Sequence, residues 1–247
     1  MNEGATHLDI ISRRQRMLHR IGRRGYETVT ESLRFGDLSI TFTRIADPDR
    51  VLDAVAAEED RLERVSGKRV PSDHLHLPYW AELWDSATGL AQWLVREIDP
   101  LHPPAAVLDL GCGMGLSGTV AAALGSRVLF ADLEADALLF ARMNSLESAD
   151  RVRARRLDWR TDTLDERFDL ILGADILYER KQWDYIEPFA RQHLKDNGRL
   201  LLGEPGRQTG DLFIPWIQQR RWKLVQHQEN VPTRQYPIRL FELTADR

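Results

Sequence analysis

From Val107 to Gly118 the chain reads Val-Leu-Asp-Leu-Gly-Cys-Gly-Met-Gly-Leu-Ser-Gly, an apolar run that gives way to glycines at 111, 113, 115 and 118. A strand ending in such a turn lets a ligand approach the backbone, because glycine has no side chain and accepts conformations closed to other residues. The helix that follows points its free N–H groups at the same place. A second apolar run, residues 127–131, closes on Asp132. The pattern reads as a nucleotide-type cofactor turn inside a sheet whose strands alternate with helices.

The rest of the chain keeps that alternation. Strand 106–110 leads to helix 115–124, strand 127–131 to helix 134–145, and strand 153–157 to a variable stretch. Strand 168–174 then leads to helix 181–194, and strand 199–203 to helix 210–220. Apolar strand runs separated by helices require parallel strands buried on both faces, which is a doubly wound α/β sheet. At the end of the chain, residues 222–228 and 236–244 both read as strands, with only Glu229 to Gln235 between them. A parallel crossover needs a dozen or more residues, so these two strands are expected to pair antiparallel.

Upstream the pattern differs. Residues 26–35 and 37–44 alternate around Gly36-Asp37 and read as a hairpin, and Pro48 starts a helix running to about Val65. Residues 67–78 read as a linker, and a helical pattern runs from Trp80 to about Val95. The expected division is an extension over residues 1–77 and a cofactor-binding domain over 78–247.

Composition narrows the class of protein. No apolar run approaches the length of a membrane span, and the start of the chain lacks a readable secretory signal. One cysteine, Cys112, forms no internal disulfide, so a cytoplasmic location is expected. Cys112 itself reads as a small space-filling residue of the turn. A net charge of −4 argues against a nucleic-acid binder driven by bulk charge. There is nonetheless a basic cluster: Arg13, Arg14, Arg16, Arg20, Arg23 and Arg24, interleaved with Leu18 and Ile21. It reads as the solvated side of an amphipathic helix, or as a surface for an acidic protein, RNA or a membrane. Asp73, His74 and His76 fall in the linker; without a third ligand pattern nearby they read as solvated loop, and no metal is expected.

Two cofactors compete for the glycine turn. Gly113, Gly115 and Gly118, with Asp132 about 20 residues on, satisfy the dinucleotide fingerprint. Asp109, two residues before the first glycine, is foreign to that fingerprint, and Asp-x-Gly-x-Gly-x-Gly resembles motif I of the class I S-adenosylmethionine methyltransferases. The antiparallel C-terminal pair resembles the end of their seven-stranded sheet.

Further matches point within that superfamily. Trp84-Asp85-Ser86-Ala87, then Leu90-Ala91 and Trp93-Leu94, resembles the helix before the first strand in methyltransferase family 16, a protein-lysine methyltransferase group. Gly173-Ala174-Asp175-Ile176-Leu177-Tyr178-Glu179 resembles the group's Asp-x-x-Tyr segment. Ala141 to Asn144 and Asp158-Trp159 fall between them at the expected positions, so the resemblance covers about residues 78–205. It implies a Rossmann-like seven-stranded sheet, S-adenosylmethionine as donor with S-adenosylhomocysteine as product, and a protein lysine or a small molecule as acceptor.

The site residues implied for the cofactor are Asp109, Gly111, Gly113, Gly115, Asp132, Asp158, Trp159 and Trp84. Asp132 is expected to accept from both ribose hydroxyls, although it also reads as a helix N-cap; Asp158 and Trp159 also read as a turn cap and a packing residue. Asp175 is expected to orient an incoming amine and help its proton leave, with Tyr178 hydrogen-bonding or forming one wall of the slot. Tyr79, Trp80, Trp84 and Trp159 form an expected aromatic rim, Trp80 and Trp84 being four apart on one helical face. Ile176-Leu177 stands where enzymes acting on planar amide or nucleobase amines have two prolines, which disfavours those acceptors.

Overall fold

The computed structural model describes residues 7–67, 77–99 and 101–246. Asp73, His74 and His76 lie outside the described residues. The chain opens with helix α1 (His7–Gly22), the antiparallel strands β1 (Thr28–Phe35) and β2 (Leu38–Ile45), and helix α2 (Pro48–Ser66). The hairpin turns where expected, on Gly36 at φ +57 and Asp37. Asp47 caps α2 by accepting from the Arg50 N–H, Pro48 occupies its first turn, and Gly67 closes it at φ +63.

The remaining elements are α3 (Asp85–Glu97), β3 (Ala106–Leu110), α4 (Leu116–Ala123), β4 (Arg127–Asp132), α5 (Ala135–Asn144) and β5 (Val152–Arg156). After them come β6 (Phe168–Ala174), α6 (Trp183–His193), β7 (Leu194–Glu204), α7 (Gln208–Gln218), β8 (Trp222–Glu229) and β9 (Ile238–Ala245). Strands β3 to β9 form one seven-stranded sheet in the order β5-β4-β3-β6-β7-β9-β8. Strands β3 to β7 pair parallel, whereas β9 runs antiparallel to both β7 and β8. The reversed C-terminal strand thus inserts between β7 and β8.

Alternate residues of the buried strands feed two cores. Val107, Val128, Phe130 and Leu172 face a cluster that includes Leu90 and Leu94 of α3, Val120 of α4 and Phe140 of α5. Leu108, Leu110, Leu129 and Ile171 face Trp183, Ile186 and Phe189 of α6 and Phe213 and Ile217 of α7. Both faces of the central strands are therefore covered, as near-continuous apolar runs demand. Strand β5 lies at the sheet edge and is arginine-rich, which suits a strand with one unpaired side.

The N-terminal hairpin shares the first of these cores. Phe42 and Ile45 are buried there, and Asn144 at the end of α5 fixes β2 in place. Its Oδ1 accepts from the Thr43 N–H at 2.8 Å, while Nδ2 donates to the carbonyls of Thr43 at 3.0 Å and Met114 at 2.9 Å. One side chain joins the hairpin to the glycine turn.

Two expectations are corrected in detail. Trp80 and Trp84 do not share a helical face: Trp80 sits in a short 3-10 turn, Tyr79–Ala81, and α3 begins only at Asp85. The indole N–H of Trp84 donates to the Tyr79 carbonyl at 2.9 Å, and Trp84 is extended at ψ 136 ahead of the helix. Strand β7 is longer than the expected 199–203, because Leu194 pairs with Phe168 across an irregularity before the regular ladder begins at Arg199.

Candidate functional site

Strand order reverses at β3, whose neighbours are β4 on one side and β6 on the other. Beyond the carboxyl ends of strands at such a point lies the crevice where open α/β sheets bind ligands. Here the loops after β3, β4, β5 and β6 surround one cleft, bordered by Gly111, Gly113, Asp132, Asp158, Trp159 and Asp175. Tyr79, Trp80 and Trp84 enter it from the segment before α3, and Tyr178 from the loop after β6.

The glycine turn divides its labour. Gly111, at φ +64, touches the cleft, and a Cβ there would come within 2.9 Å of Ile176 and 3.3 Å of Trp159. Gly115, at φ +83, lies behind the turn, where a Cβ would come within 2.6 Å of the Ala141 side chain. Gly115 therefore serves close packing of the turn on α5 and does not border the cleft.

Asp109 is also absent from the cleft wall. It is 1% exposed, and its carboxylate accepts from the Gly118 N–H at 2.8 Å, bracing the start of α4 from below. Burial pushes its pKa up to about 7, against the opposing pull of the Gly118 bond. Cys112 is half-buried in the turn and burial raises its thiol well above the usual value, in keeping with a space-filling residue.

Asp132 combines both readings offered by the sequence. One carboxylate oxygen accepts from the Gly113 N–H and the other from the Glu134 N–H, each at 2.9 Å, so it ties the glycine turn to the start of α5. A carboxylate has about four acceptor sites, which leaves capacity toward the cleft for two further donors. Burial raises its pKa to about 6, the two backbone bonds pulling the other way. That acceptor set on the cleft wall, beside a turn of free backbone, fits a nucleoside ribose.

Asp158 is held locally, accepting from the Arg160 side chain at 2.6 and 2.9 Å and from its backbone N–H at 3.0 Å. Trp159 lies against Gly111, and its indole N–H donates to Gln182 at 3.0 Å. Gln182 borders the cleft as well, a contribution that no motif in the sequence marks.

On the opposite wall stands Asp175, 6% exposed and at φ +56. Left-handed backbone in a residue other than glycine costs on the order of 1 kcal/mol and is retained where surroundings enforce it. Here the Asp175 N–H is bound to the Gly203 carbonyl at 2.9 Å. Arg207 Nη1 donates to Oδ1 of Asp175, whereas Oδ2 is buried with no hydrogen-bond partner. Arg207 also lies 5.5 Å from the Trp84 ring, and burial lowers its pKa, as does the charge of Arg234. Its backbone is anchored through Glu204, which accepts from the N–H groups of Gly206 and Arg207. Arg207, like Gln182, is marked by no motif in the sequence; its place after β7 carries no recognisable spacing.

Tyr79, Trp80, Trp84 and Trp159, the four expected rim residues, all border the cleft, together with Tyr178. Tyr79 packs edge-on against Tyr178 at 5.5 Å and against Trp84 at 6.3 Å. Trp80 is buried, with its ring against Tyr26 at 5.5 Å and Phe140 at 5.8 Å, so it supports the rim from behind. Burial pushes the Tyr178 phenol up to about 12, which keeps it protonated at neutral pH. The site thus offers one acceptor oxygen, a phenol and an aromatic wall next to a ribose-type acceptor. Among the described residues no cluster of side chains has the make-up of a metal site.

The sequence profile of a family described as lysine methyltransferase matches residues 79–219. Protein N-lysine methyltransferase METTL21A of Xenopus tropicalis is 35% identical over 142 residues, covering 54% of this chain and 63% of that protein. The electron transfer flavoprotein beta subunit lysine methyltransferase of Danio rerio is 30% identical over 136 residues, covering 53% of this chain and 51% of that protein. The chain therefore spans between half and two thirds of the length of these relatives. Among solved structures, the ribosomal protein L11 methylase of Lactobacillus delbrueckii subsp. bulgaricus superposes with a TM-score of 0.53 at 21% identity. That superposition covers 65% of this chain and 79% of the other, and it bears on the fold.

Proposed function

The chain belongs to the lysine methyltransferase family, and on that premise we propose that it transfers a methyl group from S-adenosylmethionine to the side-chain amine of a lysine in a protein. The observation that carries the reading is the carboxylate of Asp175, one oxygen of which has no partner, in a residue that borders the same cleft as Tyr178 and the aromatic rim. The names of the relatives support a protein acceptor for this chain as well. Residues 78–247 are taken as the catalytic unit and residues 1–77 as its extension. With a single cysteine in the chain, the cytoplasm is the proposed location.

The cofactor fits the residues present. Asp132 would hold the ribose hydroxyls, the backbone of Gly111 and Gly113 would border its amino-acid end, and Trp159 and Asp158 would flank the adenine. The bound sulfonium supplies an electrophilic methyl group. What remains for the protein is alignment and proton management, and alignment alone supplies several kcal/mol.

A lysine with a pKa of about 10.4 is mostly ammonium at pH 7, and deprotonating it there costs roughly 4.6 kcal/mol at about 1.36 kcal/mol per unit. Burial between Tyr79, Trp84 and Tyr178 lowers that pKa by desolvation. Oδ2 of Asp175 accepts one N–H of the amine and fixes its lone pair in line with the methyl carbon. Arg207, already paired with Oδ1, limits how strongly Asp175 favours the charged ammonium. The proton leaves to solvent, the cleft being open on the side of Tyr178, which is 41% exposed.

Incubation of the purified protein with tritiated S-adenosylmethionine and total cell lysate, followed by separation of macromolecules from small products, tests this function. Label in protein, absent with an Asp132→Ala variant, is the expected result. Label confined to small molecules would move the chain to a small-molecule methyltransferase.

A further inference from the structure

A second hollow lies between α1, α5 and the edge of the sheet. Arg13, Arg16 and Met17 of α1 face Arg142 of α5 across it, with Leu146 and Val152 as its apolar floor. None of the three guanidinium groups has a hydrogen bond or ion pair among the described residues. Neighbouring cations are engaged: Arg153 with Glu166, Arg155 with the Thr163 carbonyl, and Arg24 with Asp136. Arg14, next to Arg13, has a buried Nη1 with no acceptor among the described residues, and the charge of Glu147 reaches it. Three unpaired like charges around one concavity repel each other, in a chain whose net charge is −4. An anion placed among them relieves that repulsion.

We propose that this hollow binds an acidic segment of the protein substrate. The proposal rests on the protein-acceptor reading above. Guanidinium forks match carboxylates bidentately, and the methylenes of glutamate side chains suit the Met17, Leu146 and Val152 floor. Among the described residues no aromatic side chain lines the hollow, so nucleobases find nothing to stack on.

A chain of contacts links the hollow to the catalytic cleft. Helix α1 runs along α5 from the hollow to Asp136, where Arg24 and Tyr26 bind, the Tyr26 hydroxyl donating at 2.6 Å. Tyr26 then packs on Trp80, which borders the cleft.

Fluorescence anisotropy with a labelled oligoglutamate peptide tests the hollow without knowledge of the natural substrate. An oligouridylate of equal length and vesicles of phosphatidylserine and phosphatidylcholine serve as competing probes. The wild-type chain is expected to bind the peptide in preference to both. The combined Arg13→Gln, Arg16→Gln and Arg142→Gln variant is expected to lose about tenfold or more in affinity, each lost contact being charge-assisted. Arg61→Gln on α2 should leave binding unchanged. Calorimetric binding of S-adenosylhomocysteine checks that the triple variant is folded; should it fail, the single Arg16→Gln and Arg142→Gln variants carry the same comparison. No peptide binding, binding untouched by the variants, or a preference for RNA or vesicles overturns the proposal. Peptide binding that depends on the arginines, together with methyl label only in small molecules, would keep the anion site and reject the protein-acceptor reading.

Discussion

Arg207 Nη1 donates to Oδ1 of Asp175, and Oδ2 of the same carboxylate is buried without a partner. The pair sets one negative and one positive charge beside the cleft, which Asp175 borders, and leaves one carboxylate oxygen unpartnered. A lone carboxylate would hold an ammonium firmly and resist its deprotonation. A carboxylate already neutralised by arginine favours the neutral amine, which is the nucleophile.

Asp175→Asn isolates the acceptor role. Asparagine tolerates left-handed backbone, so the φ of +56 is kept. Binding of S-adenosylhomocysteine should be unchanged by calorimetry, while methyl transfer falls by about 10²–10⁴, the usual weight of a positioned proton-handling group. Normal transfer by this variant would remove Asp175 from the chemistry.

Arg207→Gln frees Asp175 to pair with an ammonium. Glu179, Tyr79, Tyr178, Arg234 and Asp132 are other titratable or charged groups whose fields reach this corner. At pH 7 turnover should fall while the apparent KM for protein falls or holds, and the loss should shrink as pH rises toward the lysine pKa of about 10.4. An equal loss at every pH would mark Arg207 as a merely structural residue.

Asp109 gives a stability prediction with a definite sign. Its folded pKa is raised from 3.8 to about 7 by burial, so the stability it contributes is present below pH 3.8 and lost as pH rises through about 7. Asp109→Asn keeps an acceptor for the Gly118 N–H and never ionises. Urea unfolding at pH 8 should find the variant more stable by on the order of 4 kcal/mol, with the difference vanishing near pH 4. A variant less stable at pH 8 would contradict this.

Asn144→Ala removes three hydrogen bonds, leaving the N–H and carbonyl of Thr43 and the carbonyl of Met114 without this partner. Buried groups left unpaired cost about 1–3 kcal/mol each, so a loss of about 3 kcal/mol or more is expected. Because Met114 belongs to the glycine turn, affinity for S-adenosylhomocysteine should weaken along with stability, as thermal unfolding with and without ligand would reveal.

What was legible in the sequence is the part governed by local rules. Apolar runs placed the central strands β3, β4, β6 and β7, because buried parallel strands need them, and a seven-residue connection permits only antiparallel pairing of β8 with β9. Asp132, Gly111, Gly113, Asp175 and Tyr178 were readable because their roles depend on position at strand ends, and the structure brings them to one cleft. Asp109 and Gly115 belong to the same motif but act behind the turn, through Gly118 and Ala141, which spacing alone does not reveal. Trp84 fits a helical pattern in the sequence, yet it lies extended ahead of α3 with its indole N–H bound to the Tyr79 carbonyl, a contact that periodicity does not show. Gln182 borders the cleft from a short 3-10 turn and Arg207 reaches Asp175 from the segment after β7, and only tertiary packing places them.

The most direct test of the central claim is tandem mass spectrometry of the protein labelled in lysate, locating the added methyl group on a single side chain. The account predicts a methylated lysine Nζ, lost with Asp175→Asn. Methyl on histidine, arginine or a backbone amine in place of lysine, or transfer that survives Asp175→Asn, would contradict it.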